Sequence, residues 1–202
     1  MATTNNSTSN ATPTTQDAAT ASAVPATHAA YRIDPAASRI EFSIGKRLFF
    51  VKKLTVTGRF SAVEGTITLD EQDPSTAQAA VAIGAASIDT GHARRDKHLR
   101  AADFFHVDQY PTLTFRSHRV ESIDRAAGRY RVVGDLTVRD VTREVALETH
   151  YAPVLGARHG RRLALTLTAP LTRQDFGMMW SNPVMKVADD LTVTLAIEAE
   201  RV

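Results

Sequence analysis

The sequence predicts an all-β protein, an antiparallel assembly of eight or more strands with one short helix. Three observations predict it. Apolar and polar residues alternate with a period of two in segment after segment, the pattern of strands with one buried face. Short polar turns separate these segments. A helical reading is confined to one Gly- and Pro-free run, His92 to about Ala101.

Taken in order, Met1 to about Ala30 is rich in Thr, Ala, Ser and Asn, with Pro13, Pro25 and one charge, Asp17. It has no Leu, Ile or aromatic residue, so it cannot bury enough surface to offset the entropy of ordering it. Residues 1–30 are therefore expected to form a disordered tail, and residues 31–202 one domain. A secretory signal needs a basic start and an apolar run, and neither stands before Arg32. The sequons at Asn5, Asn6 and Asn10 then read as accidents of composition.

From Tyr31 the alternation begins. Ile40, Phe42 and Ile44 share a face; Leu54, Val56 and Phe60 follow, with Gly58 expected to allow a bulge or bend. Ile67 and Leu69 alternate with Thr66 and Thr68, and Glu71–Ser75, containing Pro74, reads as a turn. Val81 and Ile83 mark the next strand. Ser87–Thr90 reads as a strand end that meets Gly91, free to take the positive φ of a sharp turn. The helical run places Asp96 and Arg100 four apart, where they can pair. Asp103 is expected to cap a turn carrying Phe104 and Phe105, an inward aromatic plug. After Pro111, Leu113 and Phe115 alternate with Thr112, Thr114 and Arg116. Later strands are marked by Tyr130–Val133, Leu136 and Val138, then Val145 and Leu147. Leu163, Leu165 and Leu167, and finally Val193, Leu195 and Ile197, complete the pattern.

Pattern alone separates neither a barrel from a sandwich nor an open cavity from a core filled by its own side chains. The words SIDTG, RRDKHLRAADFF and YPTLTFRS, in this order across Ser87–Ser117, resemble the signature of the YceI-like family. YRIDPAASRIEFSI, GDLTVRDVTREVAL and TRQDFGM match further, so the resemblance spans about Tyr31 to Val202. It implies an eight-stranded, lipocalin-like antiparallel barrel that holds a polyisoprenoid or similar apolar lipid inside, as carrier or store, without catalysis. On that reading the ligand-binding positions are Phe42, Ile44, Val56, Phe60, Val81, Phe105, Leu113, Phe115, Leu147, Leu165, Leu167, Arg173, Phe176, Met178 and Leu195. The chain departs from the family pattern at Met179–Lys186, which is less regular, and at Val187–Asp190, where a Gly-containing turn is usual.

Composition bounds the alternatives. Lys plus Arg number 24 against 22 Asp plus Glu, scattered along the chain, so no basic patch marks a nucleic-acid partner. There is no Cys, which removes disulfides, thiol catalysis and Cys-based metal sites. No apolar run approaches the ~20 residues of a membrane helix, so no stable membrane insertion is expected and a cytoplasmic location is. His92, Asp96, His98, Asp103 and His106 lie close in sequence, but without H-E-x-x-H or a second ligand pair they make no metal site. No G-x-S-x-G elbow accompanies the Ser and Thr residues, and no cofactor is expected. Strand edges or the Met-rich end leave a homodimer open.

The soft, aromatic cluster Phe176, Met178, Met179 and Trp180 suits either a flexible hydrocarbon or a plug at the barrel end. Arg173 is the charged exception among the candidate residues. Steps of two from Leu163 through Ala169 and Leu171 put Arg173 and Asp175 on the inward face, unless a bulge at Pro170 reverses the parity. An inward Arg173 must pair with Asp175, sit at the mouth, or meet an anionic head group.

Overall fold

A computed structural model describes residues 28–48, 52–155, 161–181, 183 and 185–202. The alternating segments become eleven strands: β1 His28–Ile33, β2 Arg39–Leu48, β3 Lys52–Phe60, β4 Val63–Asp70, β5 Asp73–Gly84, β6 Ile88–Asp89, β7 Thr112–Asp124, β8 Arg129–Val138, β9 Val141–Leu155, β10 Arg161–Thr172 and β11 Met185–Arg201. One α-helix, α1 Ala93–Arg100, lies between β6 and β7. Every pairing is antiparallel. Eight strands form a ring, β1–β4–β5–β7–β8–β9–β10–β11, and β11 closes it by pairing with β1. The fold is a closed eight-stranded barrel.

The closure depends on the length of β11. Its last residues, Ala199–Arg201, pair with β1, and its earlier part pairs with β2 from Met185↔Leu48 to Ala196↔Arg39. The wall is thus β1 and β4 at one end, and β2 and β3 at the other. At that second end β3 pairs only briefly with β6, through Arg59↔Asp89 and Phe60↔Ile88. Next to that short pairing lie α1 and the aromatic turn that follows it.

Helix α1 has a single large apolar residue, Leu99, and is fastened by polar side chains instead. Gly91, at φ 72°, makes the turn into it as expected. His92 caps the helix, its Nδ1 accepting from the Arg95 N–H at 3.4 Å. The expected Asp96–Arg100 pair does not form. Asp96, buried beneath the helix, accepts from the N–H of Thr90 at 3.0 Å and from the Thr90 hydroxyl. Arg100 donates to the carbonyls of Ala86 at 2.8 Å and Ile88 at 2.7 Å. Each side chain satisfies the backbone of the incoming segment, which outweighs a solvated pair worth a few tenths of a kcal/mol. Nor does Asp103 cap the following turn. The N–H groups of Phe104 and Phe105 donate to the carbonyls of Ala101 and Leu99, and the Asp103 carboxylate meets His98 Nε2 at 3.0 Å.

Three further expectations change. Strand β1 begins at His28, with Ala29 buried, so the folded domain starts ahead of Tyr31; the tail itself lies outside the described residues. Pro74 sits inside β5, near its start, and the β4–β5 turn is shorter than the sequence suggests. Gly58 makes no bulge: β2 and β3 stay in register through Phe42↔Gly58. It is glycine because the Phe42 ring lies over it, and a Cβ there would fall 2.4 Å from Phe42 Cζ. Pro170 makes no bulge either, since β10 and β11 stay in register through Pro170↔Thr192.

Candidate functional site

The inward faces of the strands do not fill the barrel. Two apolar cavities, of about 150 and 250 Å³, lie along its interior. Ile40, Ile83, Leu136, Leu171 and Val193 line both, so the two are lobes of one interior that meet at a waist. The core-filled alternative left open by the sequence is not what the side chains build.

All fifteen candidate residues line these lobes. Val81, Phe115, Leu147, Leu165, Leu167 and Leu195 belong to the first lobe, at the β1–β4 end. Phe42, Ile44, Val56, Phe60, Phe105, Leu113, Arg173, Phe176 and Met178 belong to the second, under α1. Period-two alternation finds them because every second side chain of a barrel strand faces the interior. In the second lobe aromatic contacts set the shape. Phe60 meets Phe42 at 6.0 Å between ring centres and Phe105 edge-on at 5.6 Å. Trp180 lies 5.7 Å from Phe104 and 5.3 Å from His98, and His98 stands edge-on to Phe104 at 5.0 Å. Phe104 is buried, as the plug requires, and Phe105 lines the lobe beside it. Met179, part of the same sequence cluster, is 65% exposed and takes no part.

Arg173 is buried, and its parity is inward as the strand count requires. It does not pair with Asp175. Strand β10 ends at Thr172, and Arg173–Phe176 turn into a 3-10 helix that leaves Asp175 exposed. The partner comes from β11. Between Val187↔Lys46 and Leu191↔Ile44 that strand carries two more residues than β2, a bulge made of the irregular Val187–Asp190 stretch. Arg173 Nη2 meets Asp189 Oδ1 of this bulge at 2.7 Å, and Nε donates to the Ala188 carbonyl at 3.1 Å. Nη1 donates to the carbonyls of Met178 and of Trp180, the latter at 3.1 Å. The guanidinium thus ties three separate segments together at the rim of the second lobe.

A YceI-like domain matches residues 31–199. The chain belongs to the YceI-like family. A UPF0312 protein of Pseudomonas paraeruginosa is 38% identical over 125 residues, 60% of this chain and 62% of that protein. Protein YceI of Shigella flexneri is 43% identical over 91 residues, 45% of this chain and 46% of its own length. The matches thus span less than two thirds of these curated relatives. Among solved structures, BcnA of Burkholderia cenocepacia superposes with a TM-score of 0.70 at 20% identity, over 83% of this chain and 99% of that one. A polyisoprenoid binding domain from Saccharophagus degradans, implicated in plant cell wall breakdown, superposes at 0.62 with 18% identity, over 86% and 99% of the two chains. At such identities the likeness is one of fold.

Within this YceI-like barrel the structure adds lining residues that sequence reasoning passed over. Lys46, Arg95 and His98 join Arg173 in the second lobe, whereas Ser117, Tyr130, Thr149 and Tyr151 line the first. Lys46 follows Phe42 and Ile44 at steps of two, so parity could have found it. Arg95 and His98 sit on α1, whose orientation no period-two rule predicts. Arg95 is occupied by Thr90, its Nε donating to the hydroxyl at 2.7 Å and its Nη2 to the carbonyl at 2.8 Å. The His and Asp residues around the helix each have such local roles, and no group of three metal-ligating side chains occurs among the described residues.

Proposed function

We propose that the protein binds a long polyisoprenoid, or a lipid of similar shape, along the barrel axis and carries or stores it unchanged. The observation that supports this most is the pair of joined apolar lobes lined by all fifteen candidate residues. A narrow apolar interior with few polar groups suits a flexible hydrocarbon and offers little to a polar substrate. Burying one five-carbon isoprene unit is worth roughly 3–4 kcal/mol at ~0.8 kcal/mol per CH₂. A few units then exceed the 4–15 kcal/mol that association takes in lost freedom. Fourteen of the residues act by apolar contact, and Arg173 acts by holding the wall of the second lobe in shape. The printed description of the Saccharophagus domain as polyisoprenoid binding agrees with this reading. So does the family, whose members point to binding rather than catalysis.

No described helix is long and apolar enough to cross a membrane. We further propose that the carrier works in the cytoplasm, which cell fractionation tests. The binding test is mass spectrometry of an organic extract of purified protein, with uptake of a radiolabelled prenyl lipid by delipidated protein. A recovered isoprenoid or stoichiometric uptake is expected. A clean extract together with no uptake overturns the proposal.

A further inference from the structure

Folding gathers cations that lie apart in the sequence. Arg47 on β2 stands directly opposite Lys53 on β3 and directly opposite Lys186 on β11. Ile44 and Lys46 line the second lobe, so by alternation Arg47 and its two cross-strand partners point out of the barrel, and all three are exposed. The result is a row of positive charge across three adjacent strands, with neighbouring Cβ atoms about 5 Å apart. Nothing close by neutralises it. The next outward pairs along β2 and β3, Gly45↔Thr55 and Ser43↔Thr57, carry no charge, and Glu41 beyond them stands opposite Arg59. On β11 the nearest acids are taken, Asp189 by Arg173 and Asp190 by the Thr172 hydroxyl at 3.1 Å. Among the described residues Arg47, Lys53 and Lys186 have no ion-pair partner.

Like charges directly opposite one another destabilise a sheet, so this row opposes the fold that presents it and gains from an anionic partner. Its place says which partner. Lys46, next to Arg47 in the chain, is half-buried and lines the second lobe, with Ile44 and Phe42 following it inward. The outer row and the apolar interior are thus one residue apart on the same strand. A polyanion in solution has no use for the apolar lobe behind the row. A membrane does, because it holds both the anionic head groups that attract Lys and Arg and the apolar chains that such a lobe accepts.

We infer that Arg47, Lys53 and Lys186 dock the barrel on an anionic membrane surface, with the second lobe toward the lipid. The role given to that docking, exchange of an apolar chain between bilayer and barrel, rests on the proposed carrier function.

The test uses the delipidated full chain and its Arg47→Gln, Lys53→Gln double variant, with vesicles of phosphatidylcholine alone or mixed with phosphatidylglycerol. In sedimentation the wild-type protein is expected to bind the mixed vesicles, to ignore the neutral ones, and to be released by salt. Each cation near an anionic surface is worth about fivefold in partitioning, so the double variant should bind roughly 25-fold more weakly. Its Tm should not fall, because a repulsion has been removed. Transfer of a radiolabelled prenyl lipid from mixed vesicles should slow in the variant, while its uptake of the same lipid from detergent stays as in wild type. Equal binding of neutral and mixed vesicles, or equal binding by variant and wild type, overturns the docking surface. So does a wild-type preference for a single-stranded oligonucleotide over mixed vesicles at the same salt, which would make nucleic acid the partner. A protein that binds mixed vesicles through the row yet takes up no prenyl lipid from either source overturns the proposed function and leaves the docking surface standing.

Discussion

Replacing Arg173 with Leu tests how the rim of the second lobe is built. Arg173 is 8% exposed, and the four described contacts of its guanidinium reach Asp189 and the carbonyls of Met178, Trp180 and Ala188. Removing one partner of a buried ion pair costs about 3–5 kcal/mol. Asp189 keeps 38% of its side chain in solvent, so its own desolvation is partial and the lower end applies. The three carbonyls left without a donor are individually worth about 1 kcal/mol or more but do not sum independently. A net loss of about 3 kcal/mol follows, and for a domain of this size that lowers Tm by roughly 6–12 °C. A thermal melt measures it, alongside uptake of a prenyl phosphate and of the matching uncharged prenol. Both ligands should weaken together, because what fails is the wall and not a charge contact. The double variant Arg173→Leu, Asp189→Leu should recover part of the stability. An unchanged Tm with selective loss of the phosphate would refute this assignment and make Arg173 a head-group anchor.

Two further predictions rest on the same structure. Removing residues 1–27 should leave Tm within about 1 °C, whereas removing 1–31 should abolish folding, as seen by circular dichroism; the second cut deletes buried Ala29 and Tyr31, whose hydroxyl donates to Glu71 at 2.6 Å, and takes His28–Tyr31, most of the strand onto which the barrel closes. Asp73 and Asp89 are held below the usual 3.8, Asp73 chiefly by the Ser75 hydroxyl and Asp89 chiefly by the Gly91 N–H with Arg59 beside it. A carboxylate lowered in the folded state stabilises above its unfolded pKa, and that contribution is lost as pH falls through the folded value. Stability should therefore decline below about pH 4, and Asp89→Asn should flatten part of that decline in melts run across the acid range.

What the sequence determined by itself was the wall. Side chains in a strand alternate strictly, so Ile40, Phe42 and Ile44, or Leu163, Leu165 and Leu167, declare their face without reference to any neighbour. That is why every inward candidate lines the interior. Parity also carried Arg173 inward past Pro170, because the β10–β11 register is unbroken there. The partners of the charged residues were not legible. Asp96 lies closer in sequence to Arg100 than to Thr90, and Arg173 closer to Asp175 than to Asp189, yet the structure takes the distant choice both times. Local spacing reports only which groups can meet when nothing else competes. Once buried, a charge goes to whatever backbone groups and counter-charges the packed chain leaves unsatisfied, and those come from a helix approach or a bulge in another strand. The open interior was equally a tertiary decision. Whether inward Leu, Val and Phe meet one another or stand apart depends on the number of strands in the ring, and closure of β11 onto β1 sets that number.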